Sequence, residues 1–150
     1  MPVSEYVRSL RERIGSGYLL LPGVTAVIRE DDRFLLARQR DSGRWSLIGG
    51  GIEPGEDPRT ALLREVREEL GVDSDIIRII GAYGGATLEN VYPNGDQVGY
   101  VTVAYLCSLR TSLFTIDEDE VLETRWVSLA ELAELDHHEW IDQVLTDAAR

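Results

Sequence analysis

Strands and helices interleave along this sequence, and that order predicts a layered α/β/α sandwich built on a mixed β-sheet. Apolar runs of strand length alternate with segments of helical period. Each helical segment carries an apolar arc that must be covered, and packing helices on both faces of a sheet covers it. With 150 residues, 43% of them apolar, the chain is long enough for one core and short for two. A single domain over residues 1–150 is expected, with residues 1–17 forming an N-terminal helix and a short connection.

The elements follow in order. Val7, Leu10 and Ile14 fall at helical spacing within Ser4 to Ile14, and Gly15-Ser16-Gly17 breaks the segment. Val24 to Arg29 and Arg33 to Arg40 read as two strands of a hairpin joined through Glu30-Asp31-Asp32. Asp41-Ser42-Gly43 signals a turn, and Trp45 to Ile48 is a short strand running into Gly49-Gly50-Gly51. Asp57 as N-cap, Pro58 at the first helical position and Gly71 past the end mark a helix over Pro58 to Leu70. Ile76 to Tyr83, Val98 to Leu109 and Thr124 to Val127 are further strands, the second preceded by a Pro93-Asn94-Gly95-Asp96 turn. Ser128-Leu129-Ala130-Glu131 opens a helix of capping-box type, and Trp140, Ile141, Val144, Leu145 and Ala148 give the last segment an apolar face.

Composition narrows the function classes. With 27 Asp and Glu against 15 Lys and Arg, the net charge is −12, and no basic stripe is present to meet a nucleic-acid duplex. Charges at Glu5, Arg8, Arg11, Glu12 and Arg13 interrupt the N-terminus, so it lacks the apolar stretch of a signal peptide. No apolar run approaches the roughly 20 residues a membrane helix needs, so no membrane partner is expected. The one cysteine, Cys107, sits in an apolar run and reads as a packed thiol, in keeping with a reducing, cytoplasmic location. A phosphate ester meeting so acidic a protein would need a recruited positive charge, and a divalent cation is the simplest supply.

The helix over Pro58 to Leu70 carries the chemistry. At about 100° per residue, Leu62, Leu63, Val66 and Leu70 share one arc, and Glu65, Glu68 and Glu69 share the adjoining one. The pairs Glu65/Glu69 and Glu65/Glu68 repel, each at about 0.2–0.5 kcal/mol in an isolated helix. Glu68 and Glu69 also sit in the last turn, where the helix dipole disfavours them. Arg64, spaced to reach Glu68, offsets part of this. Clustered carboxylates of this kind bind hard cations such as Mg²⁺ through oxygen, and such ions accept phosphate oxygens. The glycines before the helix lack the Gly-Lys-Ser/Thr ending of a P-loop, which excludes that mode of nucleotide binding.

Gly50, five residues, Glu56, seven residues, then Arg64-Glu65-Val66-Arg67-Glu68-Glu69-Leu70-Gly71-Val72 resembles the Nudix box at every specified position. Trp45-Ser46-Leu47-Ile48-Gly49-Gly50 resembles the strand leading into it, with Ile48 where many members carry proline. The resemblance implies the Nudix fold and hydrolysis of a nucleoside diphosphate linked to another moiety: a nucleoside triphosphate, a nucleotide sugar or a dinucleotide. It implies Mg²⁺ or Mn²⁺ held by Glu65, Glu68 and Glu69 and by the Gly49 carbonyl. The general base is then Glu65 from the box or Glu120 from the acidic stretch Asp117-Glu118-Asp119-Glu120. Glu56 and Arg64 are expected to support the helix carboxylates.

Arg38 and Arg40, placed on one face of a strand, are candidate contacts for phosphate or an acidic sugar substituent. His137 and His138 are adjacent, so their side chains point apart and are read as surface groups. Tyr83, Tyr92 and Trp45 are candidates to stack on a base, or are packing residues. Thr87-Leu88 stand where a Nudix ADP-ribose hydrolase carries a proline, which turns the reading away from ADP-ribose. A catalytically silent nucleotide sensor is the alternative function, and loss of a box glutamate would be its mark. Isomerisation of an isoprenoid diphosphate would call for a cysteine near the site, and Cys107 lies in a strand. The N-terminal helix is the candidate surface for a homodimer.

Overall fold

The computed structural model describes residues 3–150; the first two positions of the expected domain, Met1 and Pro2, lie outside the described residues. The first helix, α1 (Glu5–Ile14), is capped by Ser4, whose hydroxyl accepts from the Val7 amide, and it closes at Gly15 in the left-handed region. None of its residues is buried. The Arg11 guanidinium ties its end to the rest of the chain, donating to the Gly15 and Gln97 carbonyls and lying 3.6 Å from Asp96.

Strand β1 (Leu19–Glu30) starts five residues before the apolar run that announces it. Those extra residues belong to a parallel ladder with β7 (Gln97–Leu109), from Leu19↔Val98 to Ile28↔Cys107. The expected hairpin with β2 (Arg33–Gln39) exists only at its tip, where Arg29↔Phe34 and Glu30↔Arg33 pair around Asp31 at φ 54°. Beyond the tip, β2 turns away to pair with β3 (Trp45–Ser46) and β8 (Val121–Val127). Strand β4 (Ile48–Gly51) takes over the edge of β1, from Ala26↔Ile48 to Gly23↔Gly51. On the far side of β7 lie β5 (Ser74–Tyr83) and β6 (Glu89–Val91), both antiparallel to it. The sheet is therefore mixed, as expected.

Alternation along the strands divides the core between two faces. Val24, Ala26, Ile28, Leu35, Ala37, Tyr105 and Cys107 point to one face, where α2 (Pro58–Leu70) packs with Leu62, Val66 and Leu70. Val27, Phe34, Leu36 and Ala104 point to the other, covered by α3 (Leu129–Leu132) and α4 (Ile141–Ala148) through Leu132, Ile141, Val144 and Leu145. This is the layered α/β/α arrangement. Strand β5 forms an edge of the sheet, and two bulges interrupt its ladder with β7. Among the described residues no helix is long and apolar enough to cross a membrane.

Candidate active site

Local chemistry sets the limits of α2. The Asp57 carboxylate accepts from the Thr60 amide at 3.0 Å, Pro58 occupies the first turn, and Gly71 adopts a left-handed φ of 67° with its N–H on Arg67 O. With Leu62, Val66 and Leu70 fully buried, the rotation of the helix about its axis is fixed, and with it the direction of each glutamate.

The three glutamates are not equivalent. Glu65 and Glu69 are only 2% and 8% exposed, turned toward the Gly49–Gly51 strand, whereas Glu68 is directed outward to solvent and Arg64. Gly50 permits this approach for Glu65. A Cβ on Gly50 would collide with the Glu65 carboxylate, and one on Gly49 with the Val24 carbonyl. Gly50 thus leaves room for a carboxylate and Gly49 for the neighbouring strand, and both lie in β4 rather than in a loop.

Arg64 organises the cluster. Its Nε and Nη2 donate to the two Glu56 oxygens at 2.7 and 2.9 Å, and Nη2 also reaches the Gly51 carbonyl at 2.9 Å. Its Nη1 reaches Glu65 at 3.0 Å and Glu68 at 3.2 Å. One guanidinium therefore joins the box strand, the loop before the helix and two helix carboxylates. The Arg64 hydrogen bond holds the Glu56 carboxyl below its usual range, so that group stays ionised.

The buried pair behaves in the opposite way. Desolvation pushes Glu65 up to about 7 against the pull of Arg64, with Glu68 and Glu120 adding repulsion. Glu69 is raised well above the ordinary carboxylate range, first by burial and then by Glu65 and Glu120. Glu120, half-buried, is itself raised, chiefly by burial, with Asp117 and Glu68 contributing. The structure thus brings the loop acid to the helix acids.

Backbone hydrogen bonds make that meeting possible. The Thr115 and Asp117 amides donate to Leu70 O at 3.1 Å and Glu69 O at 2.9 Å, satisfying carbonyls that the end of a helix leaves open. The chain then turns back, with Glu120 N and Val121 N both on Asp117 O. These contacts use main-chain groups that any residue supplies, so the sequence carried no signal for them.

Other candidates sit elsewhere. Arg38 pairs across the strand with exposed Glu123 at 3.5 Å. A bulge between Arg38 and Gln39 ends the alternation, and Arg40 lies past the end of β2, so the two arginines do not share a strand face as expected. Arg40 faces the acidic loop, with Nε on Glu118 O at 2.7 Å. His137 and His138 do point apart, the first to Asp142 and the second to Ser42. They are half-buried rather than surface groups, because they fasten the segment before α4 to the β2–β3 turn. Trp45 is a core residue on the α4 face, and Tyr92 lies beside Tyr100. Tyr83 donates to Asp147 at 2.7 Å and lines a cleft of about 450 Å³ with Leu88, Trp140 and Gln143. Burial pushes the Cys107 thiol up to about 12, which leaves it inert.

Glu65 and Glu69 are two buried carboxyls held close with incomplete compensation, and Glu120 stands beside them. Such a donor set fits a hard divalent cation, whose charge would replace the missing compensation. Among the described residues no three acidic, His or Cys side chains converge as a ready ligand set, and Glu68 is paired with Arg64.

Known proteins resemble this chain in sequence and in fold. A family model described as NUDIX domain matches residues 19–148. Nucleoside triphosphatase NudI of Escherichia fergusonii is 33% identical over 122 residues, covering 75% of this chain and 85% of that protein. CTP pyrophosphohydrolase of Escherichia coli is 41% identical over 64 residues, 40% of this chain and 47% of that protein. A crystal structure of UDP-X diphosphatase is 22% identical and superposes with a TM-score of 0.67, covering all of this chain and 74% of that one. The last likeness speaks for the fold, and the first two for descent. Box, fold and family match agree: the chain belongs to the NUDIX family of hydrolases.

Proposed function

We propose that the protein is a Mg²⁺- or Mn²⁺-dependent pyrophosphohydrolase that cleaves the diphosphate linkage of a small nucleoside triphosphate or nucleoside diphosphate derivative. The observation that carries this reading is the pair of buried glutamates, Glu65 and Glu69, kept side by side at a cost that a bound cation would relieve at neutral pH. The names of two relatives, a nucleoside triphosphatase and a CTP pyrophosphohydrolase, support a nucleotide substrate.

Glu65, Glu68, Glu69 and the Gly49 carbonyl would hold the ion, which would supply charge neutralisation at the phosphate oxygens and lower the pKa of water. Glu56 and Arg64 fix the direction of Glu65, and Glu68, paired with Arg64, would turn from that contact to join the ion. Glu65 and Glu120 are the two groups placed to take a proton from an attacking water, and their raised proton affinity suits that work. Arg38, weakly paired at the end of β2, is the candidate for a substrate phosphate or acidic sugar substituent. A small molecule, rather than a nucleic-acid duplex or membrane, is the substrate. A reducing cytoplasm suits the lone buried thiol, and exposed Tyr6 and Ile14 make α1 the face on which a homodimer would form, tested by light scattering.

The deciding assay is release of phosphate, pyrophosphate or nucleotide from a panel of nucleoside triphosphates, nucleotide sugars and dinucleotides, with Mg²⁺ and with excess EDTA. Metal-dependent turnover of any member is the expected result. A folded protein silent across the panel would leave a nucleotide-sensing domain as the better account.

A further inference from the structure

Arg40 reads from sequence as a substrate contact, yet its backbone amide and Nε are directed elsewhere. Its backbone amide donates to Glu120 O at 3.0 Å and its Nε to Glu118 O at 2.7 Å. The two bonds grip the acidic loop on either side of Asp119. The residue is delivered there by the bulge after Arg38, which shifts the β2–β8 register from Arg38↔Glu123 to Gln39↔Val121. Its footing is firm, because the adjoining turn is closed by Gln39 N on Arg44 O and by Gly43 N on Gln39 O. Arg44 is in turn fastened to Asp136 and to the His137 carbonyl.

On its opposite flank the same loop is fastened to the catalytic helix, by Asp117 N on Glu69 O. Loop residues 117–120 are thus held between the end of α2 and the end of β2. The turn closed by Glu120 N on Asp117 O at 3.0 Å, with Asp117 N on Glu69 O at 2.9 Å, sets Glu120 beside the end of α2 that carries Glu69. Four acidic residues in a row repel one another, and a loop so charged would move away from two buried carboxyls unless anchored.

We infer that Arg40 is a positioning residue: its side-chain bond to the Glu118 carbonyl holds the 117–120 loop so that Glu120 faces the Glu65/Glu69 pair. The inference rests on the proposed role of Glu120 in proton transfer. It requires the Arg40 side chain to act through Glu120, without touching substrate.

The test compares Arg40→Ala, Arg40→Lys, Glu120→Gln and the double variant Arg40→Ala/Glu120→Gln, using the most active nucleotide of the release panel with Mg²⁺. Arg40→Ala should lower kcat about ten- to hundredfold, the scale on which misplaced catalytic groups act, with KM and Tm close to wild type. Arg40→Lys, which keeps a donor for the carbonyl, should recover part of the loss. The double variant should be no slower than Glu120→Gln alone. In metal-free protein, amide hydrogen exchange across residues 115–121 should quicken in Arg40→Ala, and nowhere else. A raised KM, or losses that multiply in the double variant, would overturn the inference in favour of a substrate contact. Unchanged exchange, or a wild-type kcat in Arg40→Ala beside an impaired Glu120→Gln, would overturn it alone. A wild-type Glu120→Gln would remove the proposed role of Glu120 and the inference with it.

Discussion

Replacing Glu65 by Gln deletes a charge while leaving shape and one acceptor oxygen, and it isolates the cost of a buried carboxylate that waits for a cation. In the folded protein Glu65 titrates at about 7, against an ordinary value of 4.5. A raised folded value means the native state binds the proton more tightly than the unfolded chain. The associated stability is therefore fully present below about pH 4.5, is lost as the pH climbs toward 7, and stays lost above it. At about 1.4 kcal/mol per tenfold change in proton affinity, the whole window amounts to about 3 kcal/mol. For a chain of this size that corresponds to about 10 °C in Tm.

In EDTA, then, Glu65→Gln should melt near the wild type at pH 4.5 and about 10 °C above it at pH 8. Millimolar Mg²⁺ or Mn²⁺ at pH 8 should raise the wild type by mass action and leave the variant almost unmoved, reversing their order. Thermal melts by circular dichroism at four or five pH values suffice. The variant serves as the control for the general repulsion of so acidic a chain, −12 in the wild type, which differs by only one charge between the two proteins. Parallel melting curves across pH, or a variant less stable than wild type at pH 8 in EDTA, would show that Glu65 bears no such cost and would sink the argument.

Two further outcomes follow from the same geometry. Glu69→Gln should abolish most turnover at saturating Mg²⁺ while its metal-free Tm at pH 8 is at or above that of the wild type; retained turnover would take Glu69 out of the site. Gly50→Ala adds a methyl where the Glu65 carboxylate lies, at a backbone conformation alanine accepts. It should weaken the metal-induced rise in Tm by at least tenfold in apparent affinity with little change in metal-free stability, and an unaltered metal titration would contradict the close packing of box strand and helix.

The most legible parts of the sequence were those whose causes lie within a few residues. Asp57, Pro58 and Gly71 bounded α2 correctly because N-caps, prolines and left-handed glycines act on their own turn of backbone. Ser128 marked the start of α3 for the same reason. The box itself placed three glutamates and an arginine on that helix, and the family match bears out the resemblance. Arg64 was expected to reach Glu68, and it does, because a spacing of four residues is one helical turn.

Tertiary structure decided what local rules leave open. Periodicity put Glu65, Glu68 and Glu69 on one arc, but only the packing of Leu62, Val66 and Leu70 into the core turned two of them inward and left the third to solvent. The hairpin of β1 and β2 was visible, whereas its divergence beyond the tip depends on β4 and β8 competing for their edges. The parallel pairing of β1 with β7 joins segments far apart in the chain, and β6 pairs there with little apolar pattern of its own. The bulge that sends Arg40 to the acidic loop, and the amides that fix that loop on Glu69, are backbone events to which side-chain identity is nearly blind. The sequence by itself determined which groups the site contains, since chemistry belongs to side chains; the tertiary structure determined which of them face one another, since that follows from packing and main-chain hydrogen bonds between distant segments.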